Sequence, residues 1–163
     1  MSKQNDPWEN VRSEAFRFEG LPAYSANEFD ARFEEFRRTG AVANNEETSW
    51  SREVAALKSD GIAVRRLRAI STPLSEYEEY ELNAGYHPAI RSGEQIRVVP
   101  RAQLAGMSNI RDFWLFDNEI VQFLNYDENG KLDDKTLSTV AENRLIIDRV
   151  LSIFRSARPV DLD

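Results

Sequence analysis

The chain has 163 residues, no cysteine and a formal charge of −7, enough length for one domain with a real core and a composition typical of globular proteins. The missing cysteines exclude disulfides, cysteine-ligated zinc, iron–sulfur clusters and thiol catalysis. The acidic balance argues against non-specific attraction to nucleic acid or to an anionic membrane.

No apolar run approaches the roughly 20 residues that cross a bilayer. The start, Met1 to Asp6, lacks the apolar core of a signal peptide. A cytoplasmic protein is therefore expected. In chain order, Ser25 with Glu28 has the spacing of a capping box and predicts a helix carrying Phe29, Phe33 and Phe36 on one face, ended by Gly40. A loop follows over Gly40 to Asn45. A second helix is expected from about Ser49 to Asp60, with Trp50, Val54 and Leu57 on one stripe and Gly61 as its stop.

Ile62 to Ile70, rich in β-branched residues and arginine, predicts a strand. Ser75 with Glu78 opens another helix, with Tyr77, Tyr80 and Ala84 on its apolar stripe. Gln95 to Arg101 alternates as a strand, and Phe113 to Phe116 and Ile120 to Tyr126 form a hairpin around Asp117-Asn118-Glu119. The run Asp112-Phe113-Trp114-Leu115-Phe116-Asp117 is apolar on both faces and so marks the centre of the fold. Asn129-Gly130 supplies a further tight turn, and Thr139 with Glu142 opens a terminal helix stopped by Pro159. The expected fold class is α+β: a helical N-terminal segment (1–60) followed by β-α-β-β-β-α (61–163), one domain over 1–163, its mixed sheet flanked by helices. Residues 62–101 fit a right-handed βαβ unit with parallel strands.

Candidate chemistry centres on arginine. On a strand Arg66 and Arg68 share a face and Arg65 points away. If the next strand is adjacent, Arg97 and Arg101 would join them, and the four guanidinium groups would hold a phosphate or carboxylate. Arg17 and Glu19 would close such a site, with Asp112 or Glu94 as acid–base candidate. The preferred alternative is structural ion pairing with Glu76, Glu94, Asp112 or Asp117, since such networks imitate active sites. Asp112 and Asp117, five residues apart, fall on opposite faces and ends of their strand and make no dyad; Asp117 fits the turn.

His87 reads as an exposed loop residue. A single histidine argues against a histidine metal centre, and no Gly-x-Ser-x-Gly elbow supplies a nucleophile. Asp127 to Asp134 fails the spacing of a calcium loop, because glycine stands fourth and Lys131 fifth. There is no Gly-rich phosphate loop. Neither a metal nor a cofactor is expected.

Several separated segments together resemble an uncharacterised domain family of actinobacteria. They are Ala15-Phe16-Arg17-Phe18-Glu19 with Tyr24 and Glu28, Trp50, Gly61 with Val64-Arg65-Arg66-Leu67-Arg68, Gly93-Glu94-Gln95-Ile96-Arg97, Pro100-Arg101 and Asp112 to Asp117. Ser71-Thr72-Pro73-Leu74-Ser75-Glu76-Tyr77 follows a family pattern in which Asp is usual where Glu76 stands. The resemblance implies encoding beside helix-turn-helix regulators and assigns no catalytic residue. The outline is also similar to half of a phospholipase-D-like fold, but the His-x-Lys-x4-Asp motif is absent, since Ala89 stands where Lys is needed after His87.

The leading functional expectation is a non-enzymatic regulatory or protein-interaction module. Its partner would be a protein, with a helix-turn-helix regulator as candidate; a toxin–antitoxin-like component fits the same placement. The second is a small-molecule-binding or phosphoester-processing protein using the arginine cluster. Direct nucleic-acid binding ranks last.

Overall fold

In the computed structural model the described residues are 6–25, 27–42, 47–107 and 110–162, with 27–30 described by backbone alone. A short helix α1 (Pro7–Asn10), capped by the Asp6 carboxylate on the Trp8 amide, leads into strand β1 (Glu14–Glu19). Helices α2 (Asn27–Thr39) and α3 (Ser49–Ser59) follow, then β2 (Ala63–Ile70). The chain continues through α4 (Glu76–Tyr80), a wide turn over Glu81–Gly85 and α5 (His87–Ser92) to β3 (Gln95–Pro100). Strands β4 (Asp112–Phe116), β5 (Ile120–Tyr126) and β6 (Leu132–Thr139) precede the helix α6 (Arg144–Ser156) and the two-residue strand β7 (Arg158–Pro159).

The strands form one mixed sheet in the order β6-β5-β4-β1-β2-β3-β7. β1, β2 and β3 run parallel, joined by helical crossovers, while β4 is antiparallel to β1 and continues into the β5–β6 meander. The α+β class with helices on a mixed sheet is thus as expected. The expected order lacks three strands: β6 and β7 at the two edges of the sheet and, contributed by the N-terminal part, β1 at its middle. The aromatic strand β4 lies immediately beside β1.

Period-two alternation then divides the side chains. Phe16, Phe18, Leu67, Phe113, Leu115 and Val121 turn to one face and meet Ile147, Val150 and Phe154 of α6. On the other face Ala15, Val64, Trp114 and Phe116 pack with Val54 of α3 and Ala89 of α5. Trp8 of α1 inserts among Trp50, Trp114 and Phe116, edge-on to each ring. Beside this lies a third cluster in which Phe33 and Phe36 of α2 pack on Tyr77, Tyr80 and Ala84.

Local signals account for most helix boundaries. The Ser75–Glu78 capping box is present in both directions, and α3 has its own box between Thr48 and Ser51. The helix expected from Ser25 begins at Asn27; the Glu28 and Phe29 side chains lie outside the described residues. Thr139 differs from expectation. It ends β6, pairing with Ile120, and the last helix proper starts at Arg144, although Thr139 still accepts the Glu142 amide at 3.3 Å.

Candidate functional site

The same alternation that buries Ala15 and Val64 carries Arg17, Glu19, Arg66 and Arg68 onto the helix-covered face of β1 and β2. Asp112, at the start of antiparallel β4, reaches them from the neighbouring strand, and Glu94 joins from the turn before β3. Gly93, the left-handed cap of α5 at φ 117°, makes that turn in a conformation that L side chains resist. All six charged residues are less than a tenth exposed.

Their contacts form a nearly continuous chain. Asp112 accepts the Gly20 amide at 2.9 Å and the Arg17 guanidinium at 3.2 Å, and also the Tyr24 hydroxyl. Arg17 lies 3.8 Å from Glu19. Glu19 pairs with Arg66 at 2.7 Å and accepts the Tyr86 hydroxyl at 2.8 Å. Arg66 donates Nε to Glu94 at 2.7 Å, whose other oxygen accepts the Trp50 indole N–H at 3.0 Å. Arg68 donates Nε and Nη2 to one oxygen, Oε1, of Glu81 at 2.9 and 2.7 Å. Aromatic faces surround the cations: Arg66 sits 5.7 to 5.9 Å from the ring centres of Trp50, Tyr86 and Trp114, and Arg68 is 5.3 Å from that of Tyr24.

Two site residues from the sequence reading lie elsewhere. Arg97 is on the opposite face of the sheet, where it donates to the carbonyls of Phe154 and Arg155 at the end of α6 and covers the Phe154 ring. Arg101 lies beyond the end of β3 and donates to the Ser71 hydroxyl and the Gly20 carbonyl. Of the acids named as ion-pair partners, Glu94 and Asp112 are in the network. Glu76 is on the surface with Arg37. Asp117 instead accepts the amides of Arg12, Ser13 and Glu14 and the Ser13 hydroxyl, tying the start of β1 to the β4–β5 turn. His87 is buried, not exposed: it opens α5, with Nε2 3.1 Å from the Leu82 carbonyl.

Sequence reasoning did not single out Glu81, Tyr86, Tyr24 or Trp50 as members of the site. Glu81 stands in an acid-rich stretch with Glu76, Glu78 and Glu79, and the spacing of a regular helix gives no reason to choose among them. The wide turn makes the choice. There the Tyr86 N–H bonds back to the Glu81 carbonyl, five residues away, at 2.9 Å. Glu81 and Tyr86 both face the sheet.

Ionisation follows from this packing. Burial alone would raise the Glu19 carboxyl, but Arg66, Arg17 and Arg68 outweigh it and bring it down to about 2. Glu81 moves the other way, to about 7, because burial and the neighbouring Glu19 charge prevail over Arg68. Burial and the same two carboxylates push the Tyr86 hydroxyl well up. The three arginines, desolvated but surrounded by acids, are held above their ordinary range.

Beside the network is a recess of about 220 Å³ between the sheet, α3 and the α4–α5 crossover. Trp50, Tyr77, Tyr80 and Tyr86 form its aromatic walls, and Glu19, Arg66, Glu81 and Glu94 supply its ionisable surface. Gly85 keeps the Tyr80 ring close: a Cβ there would stand 3.1 Å from two ring carbons. The Tyr80 hydroxyl is buried and has no hydrogen-bond partner among the described residues. No metal-binding cluster of acids and histidine occurs among the described residues.

The model of a domain-of-unknown-function family, DUF6879, matches residues 2–160. The chain belongs to the DUF6879 family. No functionally curated protein matches this DUF6879 chain. Among solved structures it is similar to TrmBL2, an archaeal chromatin protein described as showing a novel mode of DNA binding. The identity is 11%, the TM-score is 0.46, and the match covers 94% of this chain and 48% of that one. The DUF6879 chain therefore spans about half the length of that relative. The expected ranking, a protein partner first and nucleic acid last, is corrected on this finding, since the similar structure is that of a DNA-binding protein. What TrmBL2 binds is a property of TrmBL2, and a likeness this distant assigns no partner here. No helix of the described residues is long and apolar enough to cross a membrane.

Proposed function

We propose that this DUF6879 chain is a small-molecule-binding module and that the aromatic recess beside Arg66 is its binding site. The observation that carries the reading is the combination of a cavity with four ionisable side chains, Glu19, Arg66, Glu81 and Glu94, each less than a tenth exposed at its surface. Burying ion pairs is often no better for stability than apolar packing. A buried charged layer next to unfilled space is therefore better explained by recognition than by folding alone.

The volume sets the scale. At about 220 Å³ it is smaller than the roughly 300–1,000 Å³ of sites for drug-sized ligands, which suits a compact metabolite. Arginine pairing narrows the chemistry, since Arg66 and Arg68 already engage carboxylates through the edges that would otherwise grip a phosphate. It also favours binding over catalysis, because Glu19 and Glu94 are held by arginine as acceptors.

A thermal-shift panel of amino acids, amines, sugars and nucleotides tests the proposal. A ligand at about 100 times its dissociation constant adds about 2.7 kcal/mol, or roughly 5–11 °C for a domain of this size. Trp50→Leu, which removes a recess wall and the indole bond to Glu94, should weaken the response. A panel without any shift, or a shift equal in Trp50→Leu, would refute the assignment of the recess.

A further inference from the structure

We infer, resting on that reading, that the ligand is a small organic monocation, an amine or quaternary ammonium group lodged between the aromatic walls of the recess and the Glu81 carboxylate. Charge balance is the first argument. The network sets three buried guanidinium groups, Arg17, Arg66 and Arg68, against four buried carboxylates, Glu19, Glu81, Glu94 and Asp112. Glu78 is buried too, but it accepts the backbone amides of Ser71 and Ser75. One carboxylate is therefore in excess. Glu19, Glu94 and Glu81 border the cavity, each with an arginine and a neutral donor. Glu81 differs in that both bonds from its arginine, Arg68, fall on a single oxygen.

The wall chemistry is the second argument. Four aromatic side chains line the recess, and aromatic faces attract cations most strongly where water is excluded. This face of the sheet already uses that interaction, since Arg66 and Arg68 are both held over rings. The buried Tyr80 hydroxyl adds a polar atom at the same wall, beside the Arg32 guanidinium.

A proton is linked to occupancy. Glu81 faces Arg68 and Glu19 from the sheet, Tyr77 and Tyr80 from α4, and Tyr86 at the start of α5; Arg32 of α2 bears on Tyr80. With its carboxyl titrating near 7, the empty recess is neutralised by a proton on Glu81 and the occupied one by the ligand. Binding then releases a proton, and affinity falls as pH drops below that value, by at most about tenfold per unit.

The test measures binding of tetramethylammonium, choline and butylammonium to the full chain by calorimetry, alongside inorganic phosphate and the neutral dimethylbutanol in which carbon replaces the nitrogen of choline. At least one cation should bind at about pH 8 and bind several-fold more weakly at about pH 6, while the neutral isostere and phosphate should not bind. Glu81→Gln should abolish cation binding; the pH ratio in the unaltered chain decides the matter if that variant does not fold. Equal binding of choline and its isostere, preference for phosphate, or affinity independent of pH would overturn the cation assignment while leaving a ligand site. Binding by no probe, cationic or neutral, would overturn the cation assignment as well, and a flat wider panel would then remove the ligand site itself.

Discussion

Removing Arg66 should be among the most damaging single changes in this protein. Its guanidinium bonds Glu94 and makes the closest arginine contact to Glu19, at 2.7 Å each. Arg66→Met keeps much of the stem volume against Trp50, Tyr86 and Trp114 and so isolates the loss of charge. It leaves one carboxylate with only the Trp50 indole, and the other with Tyr86 and a distant Arg17. Breaking a buried pair from one side costs about 3–5 kcal/mol, which lowers the thermal midpoint by roughly 6–20 °C in a chain of this length. Urea unfolding followed by tryptophan fluorescence is a direct assay, since Trp50 and Trp114 flank the guanidinium. The double variant Arg66→Met/Glu94→Gln should recover part of the loss, because the orphaned charge is gone. A loss below about 1 kcal/mol, or no recovery in the double variant, would show that these carboxylates stay hydrated and would refute the picture of a dry network.

Acid should act on the network through Glu19. Its folded value of about 2 lies below its ordinary 4.5, so its contribution is complete above pH 4.5 and is lost as the pH falls toward 2. The difference is about 3 kcal/mol; unfolding measured across this window should show a slope that Glu19→Gln reduces, and an unchanged slope would assign it to other acids. Asp117→Ala removes the acceptor for three amides and a hydroxyl and should cost about 1–2 kcal/mol, by analogy with a lost helix cap. Hydrogen exchange at Ser13 and Glu14 should quicken ahead of the rest of β1, and unchanged protection there would contradict the tether. Gly85→Ala places a methyl group against the Tyr80 ring and should destabilise by about 1–3 kcal/mol while shrinking the recess; ligand response retained at full strength would place the ligand elsewhere.

The legible parts of the fold were those written in local chemistry. Ser75 and Glu78 cap a helix through two hydrogen bonds within four residues, and Asp117 with Asn118 makes a turn with both φ angles positive, at 53° and 55°. The central strand was not legible. In Glu14-Ala15-Phe16-Arg17-Phe18-Glu19 the alternation of apolar with charged residues is that of a strand with one wet face, whereas here the charged face is buried and its partners come from β2, β4 and the turn before β3. Long-range ion pairing of this kind leaves no local pattern. For the same reason the arginine strand pointed to Arg66 and Arg68 but could not place Arg97, whose face is set by the β2–β3 register that pairs it with Leu67. His87 misled in the opposite sense, because a polar residue in Gly-Tyr-His-Pro reads as loop until the Leu82 carbonyl is there to receive it.

The wide turn between α4 and α5 has a bearing on how this family can vary in length. A regular helix advances roughly 100° per residue, so the extra residue held by the Tyr86–Glu81 bond sets the angular phase of everything after it. Deleting one residue from Glu81–Gly85 would turn that bond into the four-residue bond of a regular turn and keep Tyr86 on the face of Glu81, whereas adding one would swing Tyr86 away from Glu19 by about that angle. Insertions should therefore be tolerated in the β5–β6 turn, where Asp127 to Gly130 are mostly exposed, and be excluded from these five residues.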